Sequence, residues 1–308
     1  MSYFLLSVLF TVALYMIMRA YPQYKVNSFH AIVFNYYACV ATGLLLTPDL
    51  GVFTDISWSS EGTLLTLALG IVFVVAFMLI SLTTQKINVT AASLAGNMSL
   101  VIPVLFGLFI FQNNNKEFTL FNYAGLLLAL LALGLGAIQV SPQEQKEPLS
   151  GYAPSSLLWI LPVLTFMASG TNNTLINFLS SKYYAPTQTT VFMIIACVGA
   201  LLAGTSVLLY KILLKGEKLE LRSIVGGLIL GIPNFLSLYF LLQALASFGN
   251  SAAFVFPIYN ILSMLVSSLA AWLIYKEKLN PYNRIGLAVA VLAILLISYQ
   301  ELGLFTTP

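Results

Sequence analysis

Ten apolar runs of similar length, at about 3–18, 27–47, 62–84, 89–112, 119–140, 155–181, 186–213, 222–246, 250–275 and 282–300, alternate with polar or Pro-containing connectors. Each is near the ~20 apolar residues that a helix needs to cross a bilayer. No basic residue precedes the first run and no small-residue cleavage pattern follows it, so it is read as a span and not as a removable signal peptide. The predicted fold class is an all-α integral membrane protein of ten transmembrane helices. The connector from Ser141 to Pro154 is the longest strongly polar stretch between runs. It divides the chain into 1–140, a linker at 141–154, and 155–308.

The two halves resemble each other. A shift of 161 residues aligns the third to fifth runs with the eighth to tenth: Gly70 meets Gly231, Ala91 and Ala92 meet Ala252 and Ala253, and Asn122, Gly125 and Leu126 meet Asn283, Gly286 and Leu287. A shift of 158 aligns the second run with the seventh, matching Val33 with Val191 and Cys39 with Cys197. The difference falls in a connector, where insertions belong. Each half then holds five spans, and an odd number sends the second half into the membrane from the opposite side. Inverted repeats of this kind are a transporter signature.

Composition narrows the class further. Of 308 residues 59% are hydrophobic and 7% charged, against about 25% charged in soluble domains, which excludes a water-soluble globule. The basic residues are scattered through connectors, so nucleic acid is not an implied partner. Cys39 and Cys197 each lie in an apolar run and read as buried thiols, with no metal site and no cofactor implied. Eleven Lys and Arg fall in alternate connectors on one side (Arg19, Lys25, Lys86, Lys146, Lys211, Lys215, Lys218, Arg222, Lys276, Lys278, Arg284), and Lys116 and Lys182 on the other. The richer side is assigned to the cytoplasm, which puts both termini outside.

The stretch 250–297, with Pro257 in mid-span, Glu277 at the end of the ninth run and Gly286 in the tenth, resembles the closing segment of a repeat in the drug/metabolite transporter superfamily, EamA type. The first half departs from that pattern: Lys116 occupies the position of Glu277, with Glu117 beside it after Asn113-Asn114-Asn115. The resemblance implies a carrier whose first, third, fourth, sixth, eighth and ninth helices surround a central cavity. It also implies termini that are often cytoplasmic, contrary to the charge placement.

Polar groups within spans are costly and tend to face a cavity or a partner helix. The sixth run is the richest, with Ser169, Asn173 and Asn177 on one face and Thr171 and Asn172 adjacent. Thr11, Tyr15 and Arg19 repeat that spacing in the first run, Ser93 and Asn97 are one turn apart in the fourth, Asn234, Ser237, Tyr239 and Gln243 mark the eighth, and Tyr259, Asn260, Ser263 and Ser267 the ninth. The candidate substrate-binding set is Tyr15, Asn97, Ser169, Asn172, Asn173, Asn177, Asn234, Tyr239, Tyr259, Asn260 and Ser263. For each the structural alternative is an interhelical hydrogen bond. Pro257, Glu277, Gly125 and Gly286 are read as structural. The stripe Gly125, Ala129, Ala132, Gly136 permits close helix approach, to a helix of the same chain or, alternatively, to a second copy in a homodimer. His30 and Arg19, at the ends of their runs, read first as interfacial anchors.

No acidic residue lies in the middle of a span, whereas carriers of protons or organic cations usually offer a buried carboxylate. The expected substrate is therefore a small neutral or zwitterionic metabolite, an amino acid or related compound, exported across a bacterial inner membrane. Uptake of a sugar or similar metabolite is the runner-up. Catalysis lacks paired intramembrane Asp, an HExxH motif and a phosphate loop. Gly249-Asn250-Ser251-Ala252-Ala253 only partly resembles a nucleophile elbow. A channel is disfavoured by the absence of a charged ring or carbonyl filter sequence.

Overall fold

A bilayer offers no water to backbone N–H and C=O groups, so long apolar runs close their own hydrogen bonds as helices. The computed structural model describes residues 2–54, 56–109, 119–138, 158–247, 252–300 and 302. Its main helices are α1 (Ser2–Ala20), α2 (Ser28–Leu45), α3 (Glu61–Lys86), α4 (Val89–Met98), α5 (Val101–Phe109), α6 (Leu120–Ala137), α7 (Ile160–Tyr183), α8 (Thr189–Lys215), α9 (Leu221–Ser247), α10 (Ala252–Tyr275) and α11 (Pro281–Ile297). No strand occurs among the described residues. The polar linker 141–154, the run Asn113–Asn115 with Lys116 and Glu117, and residues 249–251 of the partial elbow lie outside them.

Connector residues set the helix starts. Asn27, Ser60, Asn88 and Asn280 each stand as the cap and accept backbone N–H groups of the first turn, which the helix cannot satisfy itself. At the far ends of α8 and α10, Gly216 (φ 65°) and Lys276 (φ 53°) turn left-handed. The N–H groups of Glu217 and Glu277 then fold back onto the carbonyls of Lys211 and Ala271.

Eight helical stretches among the described residues are long and apolar enough to cross a membrane, Val89–Phe106 counting as one. The protein is a multi-pass, all-helical membrane protein. α11 is apolar but 17 residues long; α7 has 24 residues and is not among the eight, being the helix richest in Asn, Ser and Thr. The run expected to be one helix at 89–112 is broken at Ser99–Leu100. Pro103 has no N–H to offer the carbonyl of Ser99, and that carbonyl is taken by the N–H of Ile102 at 3.0 Å.

Contacts fix the direction of each helix. Gln85 near the end of α3 donates to Ser28 at the start of α2 (2.8 Å), Glu277 just after α10 accepts from Val89 at the start of α4 (3.1 Å), and Asn27 before α2 donates to Glu217 just after α8 (3.2 Å). The ends of α1, α3, α6, α8 and α10 therefore gather with the starts of α2, α4, α7, α9 and α11 at one end of the bundle. Among the described residues that end holds Arg19, Lys25, Lys86, Lys211, Lys215, Lys218, Arg222, Lys276, Lys278 and Arg284, and is called the basic end below; Lys182 lies at the other.

α6 and α11 pack antiparallel through the small-residue stripe, so that stripe serves a contact inside the chain. A Cβ on Gly125 would meet the N of Ile297 at 2.8 Å and the O of Ala293 at 2.9 Å; a Cβ on Gly286 would meet the O of Ala132 at 3.1 Å and the N of Gly136 at 3.2 Å. Asn122 donates to the carbonyl of Ile297 (2.8 Å), and Asn283 to that of Gly136 (3.1 Å). Elsewhere Gly70 of α3 rests on Ala196 of α8, while Gly231 of α9 rests on Ala38 of α2.

Candidate functional site

α4 is the hub of the interior. It is almost wholly buried, with α1 and α10 against one flank and α7 and α3 against the other. On the first flank α1 and α10 run parallel and are joined at three levels. The Thr11 and Tyr259 hydroxyls share a hydrogen bond of 2.6 Å, Tyr275 donates to the carbonyl of Met16 (2.6 Å), and Arg19 Nε meets Glu277 Oε1 at 2.6 Å. The Tyr15 hydroxyl sits where a Cβ on Gly96 would come within 2.8 Å of it. Ser263, beside the Tyr259 hydroxyl, and Ser267 continue the α10 stripe, both hydroxyls buried.

The Arg19–Glu277 pair ties four helices at the basic end. Arg19 ends α1, where a cation suits the helix dipole, and also donates to the carbonyl of Gln85 at the end of α3 (3.2 Å). Glu277 caps the start of α4, where an anion suits it. Its side chain is 8% exposed against 28% for Arg19. Burial pushes the Glu277 carboxyl above the usual carboxylate range, opposed by Arg19 and the Val89 N–H.

On the second flank α7 meets the helix break. Asn173 donates to Ser99 Oγ (3.1 Å), which donates to the carbonyl of Gly96 (2.6 Å), and Thr83 and Thr165 share a bond of 2.7 Å. Ser169 Oγ and Asn172 Oδ1 are buried and unpaired among the described residues. α7 has two exposed faces. Leu164, Met167 and Thr171 form one, suited to lipid; Asn173 and Asn177 lie half a turn away on the opposite face. Asparagine side chains on a membrane helix are costly against lipid and suit a polar surface.

The structure thus brings Tyr15, Tyr259 and Ser263 to one flank of α4 and Ser169, Asn172 and Asn173 to the other. Asn97 lies in α4 itself and donates to the carbonyl of Ser93 (2.6 Å). Asn260 is half-buried on the α10 stripe and Asn177 lies further along the α7 face. Asn234 and Tyr239 stand apart: Asn234 donates to Asn35 of α2 (3.1 Å), and Tyr239 packs with the cluster built by α2 and α8. Ser99, Thr83, Thr165 and Asn35 were not singled out from sequence. The break before Pro103 was the available signal for Ser99.

No known protein-family profile matches the chain. An uncharacterised protein of Haemophilus influenzae (strain Rd) is 24% identical over 300 residues, spanning 96% of this chain and 97% of that protein. A solved structure, titled only as the crystal structure of a protein, is 15% identical with a TM-score of 0.52, covering 100% of this chain and 99% of that one. The second likeness shows a shared fold over the whole length.

Proposed function

We propose that the chain is a secondary carrier of the drug/metabolite transporter superfamily, exporting a small neutral or zwitterionic metabolite, an amino acid or related compound, by alternating access. The observation that carries this reading is the exposed Asn173–Asn177 face of α7, on the side opposite Leu164 and Met167 and beside a broken helix. Unwound backbone at membrane depth is tolerated where protein or a water-filled cavity covers it, and carriers bind substrate at such breaks. Counting α7 and α11 with the eight apolar stretches makes ten crossings. Reading 1–140 and 155–308 as inverted repeats is supported by the reciprocity of the contacts: Gly125 faces the partners of Gly286 shifted by 161 residues, and Asn122 and Asn283 exchange equivalent bonds. Among the described residues no carboxylate lies in the middle of a span, Glu277 being held at the basic end by Arg19, which favours hydroxyl, amide and zwitterionic groups over an obligatory proton.

The bacterial inner membrane is the proposed location, with the basic end in the cytoplasm. Single cysteines at Lys278 and Lys182, in a chain freed of Cys39 and Cys197, test the orientation. An impermeant maleimide added to intact cells is expected to label Lys182→Cys and leave Lys278→Cys; the reverse pattern refutes the assignment. For the site itself, Asn173→Ala is expected to lower transport ~5- to 150-fold, the factor equivalent to the ~1–3 kcal/mol cost of an unpaired polar group, while the purified chain keeps its helical content and melting temperature. Wild-type transport rates in that variant would sink the assignment.

A further inference from the structure

A groove of about 360 Å³ lies between α3 and α8, beside the start of α2. Every residue lining it is apolar, including Val75 and Met78 of α3, Ala203, Gly204 and Val207 of α8, and Phe29 at the start of α2. Small residues cut it: a Cβ on Gly204 would approach Val33 to 3.0 Å, so α8 lies close on α2 and leaves the hollow beside it. Ala203, Val207 and Lys211 follow at i, i+4 and i+8, so one stripe of α8 runs from the groove to a cation. The Lys211 ammonium stands 4.5 Å from the centroid of the Phe29 ring, the wall at the basic end, and 3.5 Å from Glu217. Residues 211–222 carry a net charge of +2, so Glu217 leaves this corner positive.

We propose that this groove binds one acyl chain of an anionic phospholipid, with its phosphate held at the Lys211 corner. An apolar channel at chain depth ending in a cation at headgroup depth matches the two parts of that molecule in the order the bilayer presents them. The site faces lipid, apart from the Asn173 face, and does not depend on the transport reading.

The test is titration of the full chain in detergent with phosphatidylglycerol or phosphatidylcholine of the same acyl chains, read by native mass spectrometry and thermal shift. Phosphatidylglycerol is expected to bind more tightly than phosphatidylcholine. Lys211→Gln is expected to weaken phosphatidylglycerol about fivefold, the worth of one Lys at an anionic surface, with Lys211→Arg restoring it. Ala203→Phe, filling the groove, is expected to abolish the preference, and Val75→Phe does the same from the opposite wall should Ala203→Phe fail to fold. Glycerol phosphate, a headgroup without chains, is expected to give no shift. Equal binding of the two lipids, a preference that survives either Phe substitution, or a shift with glycerol phosphate overturns the site.

Discussion

Arg19→Ala is expected to open the basic end of the bundle, while Glu277→Gln leaves it nearly shut. The two halves of this pair differ in burial, with Glu277 8% exposed and Arg19 28%. Removing the Arg strands a carboxylate at the junction of α1, α3, α4 and α10; uncompensated buried charges of this kind cost ~3–5 kcal/mol. Gln at 277 keeps an oxygen for the Val89 N–H, and Arg19 reaches water. A cysteine at Ser267, buried on the α10 stripe, reports the difference when labelled from the basic end in a background without Cys39 and Cys197. Taking the lower figure, Arg19→Ala raises the labelling rate ~100-fold. Equal effects of the two substitutions, or none, would mean that the pair is not a latch. The sign with pH follows from the raised carboxyl: the closed form holds the Glu277 proton more tightly than an open form with the group in water. Lowering the pH into the carboxylate range therefore slows labelling at Ser267→Cys relative to an exposed Lys278→Cys, which corrects for the loss of thiolate, and a ratio that rises would contradict that sign.

The second large effect is steric. Gly70→Ala places a Cβ 2.0 Å from the N of Ala200 and 2.3 Å from the C of Gly199. Both are backbone, so α3 and α8 must separate along their seam. Overpacking commonly costs ~1–3 kcal/mol where side chains can shift, and here the upper end or more is expected, read as a loss of stability in denaturant. Gly231→Ala, with its Cβ 2.2 Å from the O of Asn35, also meets backbone and is expected to cost a similar amount, within ~1 kcal/mol. Gly136→Ala is the control: its nearest neighbour is the flexible end of Leu94 at 3.1 Å, and little change is expected. A harmless Gly70→Ala would mean the helices are not held at backbone distance.

The helical runs were legible because lipid leaves a chain few choices, and apolar length alone marks most of α1 to α11. The stripe Gly125–Gly136 announced a close contact, though only the fold shows that Gly286 and its neighbours receive it. Ser169, Asn173 and Asn177 were readable as one face because helical spacing is local. What spacing cannot carry is which face meets which. Asn234 shares the polar pattern of the others, yet its partner is Asn35 on α2, 199 residues away. Arg19 and Glu277, 258 residues apart, each read as a span-end residue, and their pairing depends on α1 and α10 running parallel. The break at Ser99 had a local cause in Pro103, but prolines are tolerated in unbroken spans: α9 passes Pro233 and α10 passes Pro257 without interruption.

The central claim is carriage of a small uncharged or zwitterionic solute, and counterflow in proteoliposomes tests it most directly. Vesicles preloaded with one member of a panel of amino acids and small sugars are offered the same labelled compound outside, with and without a pH gradient. Saturable uptake of one class, independent of the gradient and lowered by Asn173→Ala, is the predicted result. Flux that appears only with the gradient contradicts the argument from spans without a central carboxylate, and the absence of counterflow for every compound, or flux that rises linearly without saturation, contradicts the carrier.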